Sequence, residues 1–331
     1  MLNMDNIIGI KLDKADRRIL FELDKNCRIP SIKLARIVHK SRQAVDYRIN
    51  NLIKEGIILG FQTAINPHKM GYRLYKVYLK LKNIPYEKEK LLEYLESSAI
   101  VYWMGECSGT WDLIFGVFTK DDYGFFEFKN QVISDFGNII IESYGEMLID
   151  VKQYPKTYLL NAKEPQPVPA MFGGELIQNE PDHLDFSILQ EIVNNARISI
   201  VELSSKTKKN VSTILSRMKK LEALGIIIQY RIGINLNKLG FELYKCIIKL
   251  ERYTKEDEKK LVEYASAIPS IQYFIRNIWQ IELELVVKNF QEYYKITEDL
   301  KGEFPDVIRS TDSVLMISDK WTPSFKNLLK A

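Results

Sequence analysis

Near the start of the chain, apolar residues recur at helical spacing in three successive segments. Ile19, Leu20 and Leu23 follow the acidic Asp13 and Asp16 and predict a first helix with one buried face. Ile32, Leu34, Ala35 and Val38 predict a second, capped by Ser31, and a turn through His39 and Lys40 leads to Ser41, the cap of a third. That third helix turns Val45, Ile49, Leu52 and Ile53 inward and leaves Gln43, Asp46, Tyr47 and Asn50 on the opposite face. Gly56 ends it, and IILGF followed by QTAIN reads as a short β-wing. Three helices, a capped turn and a wing make a winged helix-turn-helix, whose third helix can enter the major groove of DNA.

After the wing the pattern becomes an alternation of strands and helices. Strands are expected at Leu74–Leu81, Ile100–Cys107, Trp111–Phe118 and Ile139–Val151, and helices at Pro85–Ser97 and Tyr123–Asp135, with a tight turn at Ser108–Thr110. The order βαββαβ is the ferredoxin-like arrangement.

The whole pattern then returns. Asp16–Lys76 aligns without a gap with Asp185–Lys245, 169 positions later, and 21 of the 61 residues are identical. A match this long is a duplicated unit rather than a short-period solenoid. In the second copy Ile188, Leu189 and Ile192 mark the first helix, Asn210 caps the third, and Ile214, Met218 and Leu221 pack it. Its second half repeats the order through Leu243–Leu250, Thr254–Ala267, Ile271–Ile278, Ile281–Val287, Phe290–Leu300 and Val307–Ile317. There the offset is 168, and Trp111/Trp279, Phe136/Phe304, Lys152/Lys320 and Pro155/Pro323 still correspond. The expected fold class is α+β: two copies of a winged helix-turn-helix followed by a ferredoxin-like βαββαβ effector domain. The units are expected at 12–66 and 72–154, then at 183–235 and 241–323, with the Pro- and Gly-rich 155–182 as a linker. Fully extended, the 29 residues from Pro155 to His183 would span about 95 Å, at roughly 3.3 Å each, and leave the placement of the halves open.

At 331 residues, 46% hydrophobic and 27% charged, the composition is that of ordinary globular protein with sequence enough for several cores. Cys27, Cys107 and Cys246 lack C-x-x-C spacing, which argues against a disulfide framework or a zinc site. The segment MLNMDNIIGIKLDKAD has no signal-peptide apolar run, and no window approaches the roughly 18 apolar residues of a membrane span. A cytoplasmic protein without a membrane partner is expected.

The net charge of +4 does not by itself announce a nucleic-acid binder, but its distribution is uneven. Residues 31–55 carry six basic residues against two acidic, and residues 200–224 do the same. A charge run alone describes any solvated face; set on a helix-turn-helix, it is the footprint of contact with a phosphate backbone. Backbone neutralisation is assigned to Lys33, Arg36, Lys40, Arg42 and Arg48 in the first copy, and to Lys206, Lys208, Lys209, Arg217 and Lys220 in the second. Base reading is assigned to Gln43, Asp46, Tyr47 and Asn50, and to Ser212, Leu215, Ser216 and Lys219. Arg48 and Arg217 match across the copies and suit a shared phosphate contact. The reading faces differ, so the expected DNA target is an imperfect palindrome.

The strings LDKADRRIL and LARIVHKSRQAVDYRINNLIKEGIILGF, followed by a βαββαβ unit, resemble the leucine-responsive/asparagine-regulator (Lrp/AsnC) transcription factors over nearly the whole chain, twice. The resemblance implies double-stranded DNA as partner, self-association through the ferredoxin-like domains, and an amino-acid effector. Members ordinarily carry one unit per chain, so a tandem chain implies a covalent pseudo-dimer, although pairing between chains would satisfy the same sheets. The family's Gly-x-x-Asp ligand loop is matched at Gly109, Thr110, Trp111 and Asp112. Asp112 could face an ammonium group, with N–H groups near Gly109 facing a carboxylate; alternatively, Gly109 only makes the turn and Asp112 bonds local backbone. The second copy has Asn277 and Gln280 instead, so a ligand is expected in the first half.

Two other classes compete. Some proteins resembling this family are siroheme decarboxylases, whose chemistry calls for histidine and basic residues in the effector cavity. The chain's three histidines, His39, His68 and His183, fall outside the ferredoxin-like units, and no catalytic triad, metal-ligand cluster or Gly-rich phosphate loop is present in the sequence; no enzyme activity and no cofactor is expected. The third reading is an architectural protein that compacts or bridges DNA without an effector.

Overall fold

The computed structural model describes residues 12–160 and 168–318 and the backbone of 320–321. Pro323 and the side chain of Lys320 lie outside the described residues. Helix α1 (Lys14–Lys25) opens with a capping box: the Asp13 carboxylate accepts from the Asp16 N–H, and Asp16 reaches back to the Asp13 N–H. Helices α2 (Ser31–Ile37) and α3 (Arg42–Lys54) follow, with Ser41 accepting from the Ala44 N–H at 3.1 Å. Ser31 is not the cap of α2: Pro30 holds that place, its φ of −61° setting the entry, and Ser31 is already helical. The residues expected inside α1, α2 and α3 are buried, except Ile32 and Ile53, which are 56% and 41% exposed. Ile53 lies about 100° around α3 from the buried Leu52, and Ile32 sits in the first turn of α2 between the half-buried Ser31 and the exposed Lys33.

The second copy builds α6 (His183–Ile192), α7 (Ile200–Thr207) and α8 (Val211–Ala223) in the same way, with a capping box from Asp182 and Asp185 and with Asn210 capping α8. His39 and Lys208, one in each helix-turn-helix turn, adopt left-handed φ of 52° and 54°.

The wing differs from expectation. Each copy supplies a single strand, β1 (Ile58–Ile65) or β7 (Ile227–Ile234), and these pair antiparallel with each other. A lone strand would leave a row of backbone groups unpaired; the other copy satisfies them. Contacts around the pair come in reciprocal pairs: Asn66 N–H to Ile226 O and Asn235 N–H to Ile57 O, both 2.9 Å, then Cys27 N–H to Tyr230 O and Ala196 N–H to Phe61 O, at 2.8 and 3.0 Å. Such an isologous set makes a pseudo-twofold axis between the copies.

The remaining strands of the first copy are β2 (Arg73–Leu81), β3 (Val101–Gly109), β4 (Leu113–Thr119) and β5 (Ile140–Gln153), in the order β5-β2-β4-β3, with helices α4 (Pro85–Ser97) and α5 (Asp122–Phe136). The second copy matches with β8 (Glu242–Leu250), β9 (Ile271–Asn277), β10 (Gln280–Val287) and β11 (Ile308–Met316), in the order β11-β8-β10-β9, with α9 (Lys255–Ala267) and α10 (Phe290–Glu303). The sheets join along two seams. One runs β5 to β9, from Leu148 opposite Asn277 to Gln153 opposite Tyr273; the other runs β3 to β11, from Cys107 opposite Met316 to Gly109 opposite Val314. The eight strands thus form a closed ring, and the effector units pair within the chain. The helices pack apolar faces on the outside of the ring, Leu91, Leu95 and Val132 on one half and Leu261, Ala265 and Leu300 on the other.

The linker is not a free spacer. Its β6 (Ala170–Gly173) adds to the end of β5, and Met70 bridges to Gln178. A two-residue β12 (Lys320–Trp321) lies against β3.

Candidate nucleic-acid interface and effector loop

Helix α3 presents Gln43, Tyr47 and Asn50 to solvent, Tyr47 at 66% exposure. Asp46 is half-buried and lies 3.6 Å from Arg42 Nε. Lys33, Arg36 and Lys40 are exposed on α2 and the turn, and among the described residues they have no ion pair. Helix α8 presents Ser212, Leu215, Ser216 and Lys219, again exposed, beside Lys208 and Lys209 in the turn. Lys206 is instead paired with Glu191 at 2.7 Å and Lys220 with Asp185 at 2.9 Å.

Arg48 and Arg217 are engaged within their own modules. Arg48 Nη1 donates to Asp13 Oδ2 at 2.8 Å and to Asp16 Oδ1 at 2.7 Å. Arg217 makes the same contacts with Asp182 and Asp185. Hydrogen bonds first to Asp16 and then to Asp13 raise the Arg48 pKa, and a bond to Asp182 does so for Arg217. Each arginine clamps the recognition helix to the capping box that starts the first helix. That is a structural reason for its match across the copies, and the sequence carried the sign of it: Asp13 and Asp182, like Asp16 and Asp185, recur at the same 169-residue offset.

The Gly-x-x-Asp loop is also occupied. Gly109 has φ of +125° and lies in the β3–β11 seam, where a Cβ would come 2.4 Å from Ser313 O. Asp112 accepts from Lys80 Nζ at 3.0 Å and from the Leu81 N–H at 2.9 Å, while Thr110 is exposed. Asp112 thus bonds across to β2, at residues 31 and 32 positions away in sequence. Asn277 and Gln280 of the second copy point inward, donating to Glu282 at 2.7 Å and to the Tyr78 hydroxyl at 3.3 Å.

The ring's interior holds charges that hydrophobic patterning did not signal. Lys76 Nζ lies 2.8 Å from Glu282, Lys245 bridges Glu282 and Glu284, and the Tyr78 hydroxyl donates to Glu282. Burial acts to raise the Glu282 pKa, but Lys76 and Lys245 outweigh it and bring it down to about 2. His39 and His183 are exposed; His68 is buried beside Gly173, and burial lowers its pKa. Burial pushes the Cys107 and Cys246 thiols up to about 12. Among the described residues no His/Cys/Asp/Glu group is arranged to hold a metal ion, and no helix is long and apolar enough to cross a membrane.

Residues 12–58 and 181–228 each match the winged helix-turn-helix DNA-binding family. The leucine-responsive regulatory protein of Rhizobium meliloti is 26% identical over 153 residues, 44% of this chain and 96% of that protein. A helix-turn-helix transcriptional regulator of Pyrococcus abyssi, itself uncharacterised, is 30% identical over 121 residues, 37% of this chain and 76% of that protein. Among solved structures, the siroheme decarboxylase NirDL aligns over 96% of this chain and 97% of its own with a TM-score of 0.63 and 10% identity, a likeness of fold alone. The sequence relatives each correspond to a single unit, and this polypeptide joins two: the chain belongs to the Lrp/AsnC family of winged helix-turn-helix transcriptional regulators.

Proposed function

We propose that one chain binds double-stranded DNA in the cytoplasm as a sequence-specific regulator, reading two unlike half-sites. The observation that carries this is the pair of exposed recognition helices, different in chemistry yet held in one frame by the mutual wing strands. Lys33, Arg36, Lys40, Lys208 and Lys209 are placed to neutralise phosphates, whereas Arg48 and Arg217 orient the helices. Gln43, Tyr47 and Asn50 on one head, and Ser212, Ser216 and Lys219 on the other, meet base edges. Association of effector units, which single-unit chains make between subunits, is supplied here within the polypeptide, so a single chain brings both heads to the DNA.

We read the chain as a regulator rather than as an enzyme on the decarboxylase fold. Lys76, Glu282, Lys245 and Glu284 fill the ring's interior with a paired network. An amino acid at the Gly109–Asp112 loop would have to displace Lys80 and the Leu81 N–H from Asp112. Fluorescence anisotropy with duplex DNA between about 50 and 200 mM salt tests the DNA claim: log affinity should fall linearly with log salt. Alanine at Lys33, Lys40, Lys208 or Lys209 should reduce the slope by about 1 each. A salt-independent affinity, or slopes unchanged by all four substitutions, would refute the docking surface.

A further inference from the structure

The two recognition helices start alike and then diverge. Ser41 caps α3 and Asn210 caps α8, the latter accepting from the Thr213 N–H at 2.8 Å, so Arg42 and Val211 are equivalent first helical residues. Asp46 and Leu215 stand four residues further on. In α3 these two places hold a charged pair, with Arg42 Nε 3.6 Å from Asp46 Oδ2. In α8 they hold apolar side chains that are 41% and 42% exposed, while Ile214, Met218 and Leu221 of the same helix are buried. Residues four apart lie about 40° from each other around a helix, so Val211 and Leu215 form one strip along its N-terminal half.

The fold draws on other residues of α8: the buried three pack it, and Asn210 caps it. Charged residues at both places build a helix of the same 13-residue length in α3, so the strip is not needed to form the element. It lies at the end of the recognition helix that a helix-turn-helix sends into the major groove, next to Ser212 and Ser216 in sequence. The base pairs present hydrogen-bond donors and acceptors there and one apolar group, the C5 methyl of thymine. Against a donor or acceptor, an apolar side chain would strip water from a polar group and give it no partner, at a cost. Against the methyl, both surfaces leave water favourably.

We propose that Val211 and Leu215 read thymine methyl groups, so that the half-site under α8 carries thymine where the half-site under α3 faces the Arg42–Asp46 pair. The inference rests on the DNA-binding reading above and names the base edges that the second head takes. It also places the asymmetry of the target. At two equivalent positions a charged contact is exchanged for an apolar one, while the caps and the Arg48 and Arg217 clamps that set the helices are shared.

The test titrates the full chain, by fluorescence anisotropy, into the duplex motif enriched from a random double-stranded library. The motif is used in its thymine form and with deoxyuridine placed at one thymine of one half-site at a time. Deoxyuridine keeps the pairing and the O4 acceptor and lacks only the methyl. In one half-site the most sensitive replacement is expected to weaken wild-type binding about three- to fourfold, the contribution of one buried methyl-sized group. The double variant Val211→Ser/Leu215→Gln should bind the two forms of that half-site equally, whereas Val201→Ser, at an exposed position on α7, should keep the difference. If the double variant no longer binds, Leu215→Gln alone is compared in the same way. Equal wild-type affinity for both forms of both half-sites, a difference that survives in the Val211 and Leu215 variants, or one lost as much in Val201→Ser would overturn the assignment and leave the regulator reading standing. A library that yields no motif would overturn both.

Discussion

Arg48 and Tyr47 are adjacent on α3 and do different work. Arg48 joins two carboxylates at 2.7 and 2.8 Å, so Arg48→Ala should cost about 1–2 kcal/mol in urea unfolding, within the range for charge-assisted bonds at partly exposed sites. Its base preference should not change. Tyr47 points to solvent, so Tyr47→Ala should shift stability by no more than about 0.5 kcal/mol while altering the preferred half-site. Equal stability losses in the two variants would contradict this division. Much at this scale was legible in the sequence: the caps at Ser41 and Asn210 and the buried stripes follow from periodicity. Ser31 and Ile32 were not, because a cap and a stripe edge depend on where the neighbouring chain lies, and the ion pair of Arg48 showed only in the matched recurrence of Asp13 and Asp16.

At the scale of elements, the helices and strands of both copies lie within a few residues of where their periods placed them, but the seams were invisible. Periodicity says which face of a strand is buried and nothing about which edge it pairs. Gly109 shows the consequence. Read as a ligand-loop glycine, it is needed where β3 meets β11, so Gly109→Ala, with a Cβ 2.4 Å from the Ser313 oxygen at φ of +125°, should destabilise by roughly 2–3 kcal/mol. Thr110→Ala, one residue on and exposed, is the control and should be nearly neutral.

The other seam should be pH-sensitive. Glu146 of β5 accepts the Trp279 N–H of the second copy at 2.5 Å, is 3% exposed, and burial raises its pKa to about 7. A carboxyl whose folded pKa lies above its unfolded value, near 4.5, favours folding most below the unfolded value and loses that contribution as pH rises to about 7. The wild type should therefore lose up to about 3 kcal/mol between those limits, and Glu146→Gln, which keeps the acceptor, should remove most of that loss. Urea unfolding at pH 5 and pH 8 checks it; identical pH profiles for the two proteins would refute the assignment.

At the scale of the whole molecule, duplication has become pseudo-symmetry. The repeat was plain in the sequence, whereas closure within one chain was not, since pairing between chains would use the same residues. The strand Ala170–Gly173 inside the linker was not legible, because Pro and Gly mark breaks in regular structure without excluding a short strand between them. Wing strands that complete each other leave the recognition helices little freedom to move independently, and the differences between α3 and α8 then become differences between half-sites. Selection of bound duplexes from a random double-stranded library, followed by sequencing, tests this most directly. The account predicts one motif with two unlike halves at a fixed spacing; salt-sensitive binding without an enriched motif, or two identical halves at variable spacing, would contradict it.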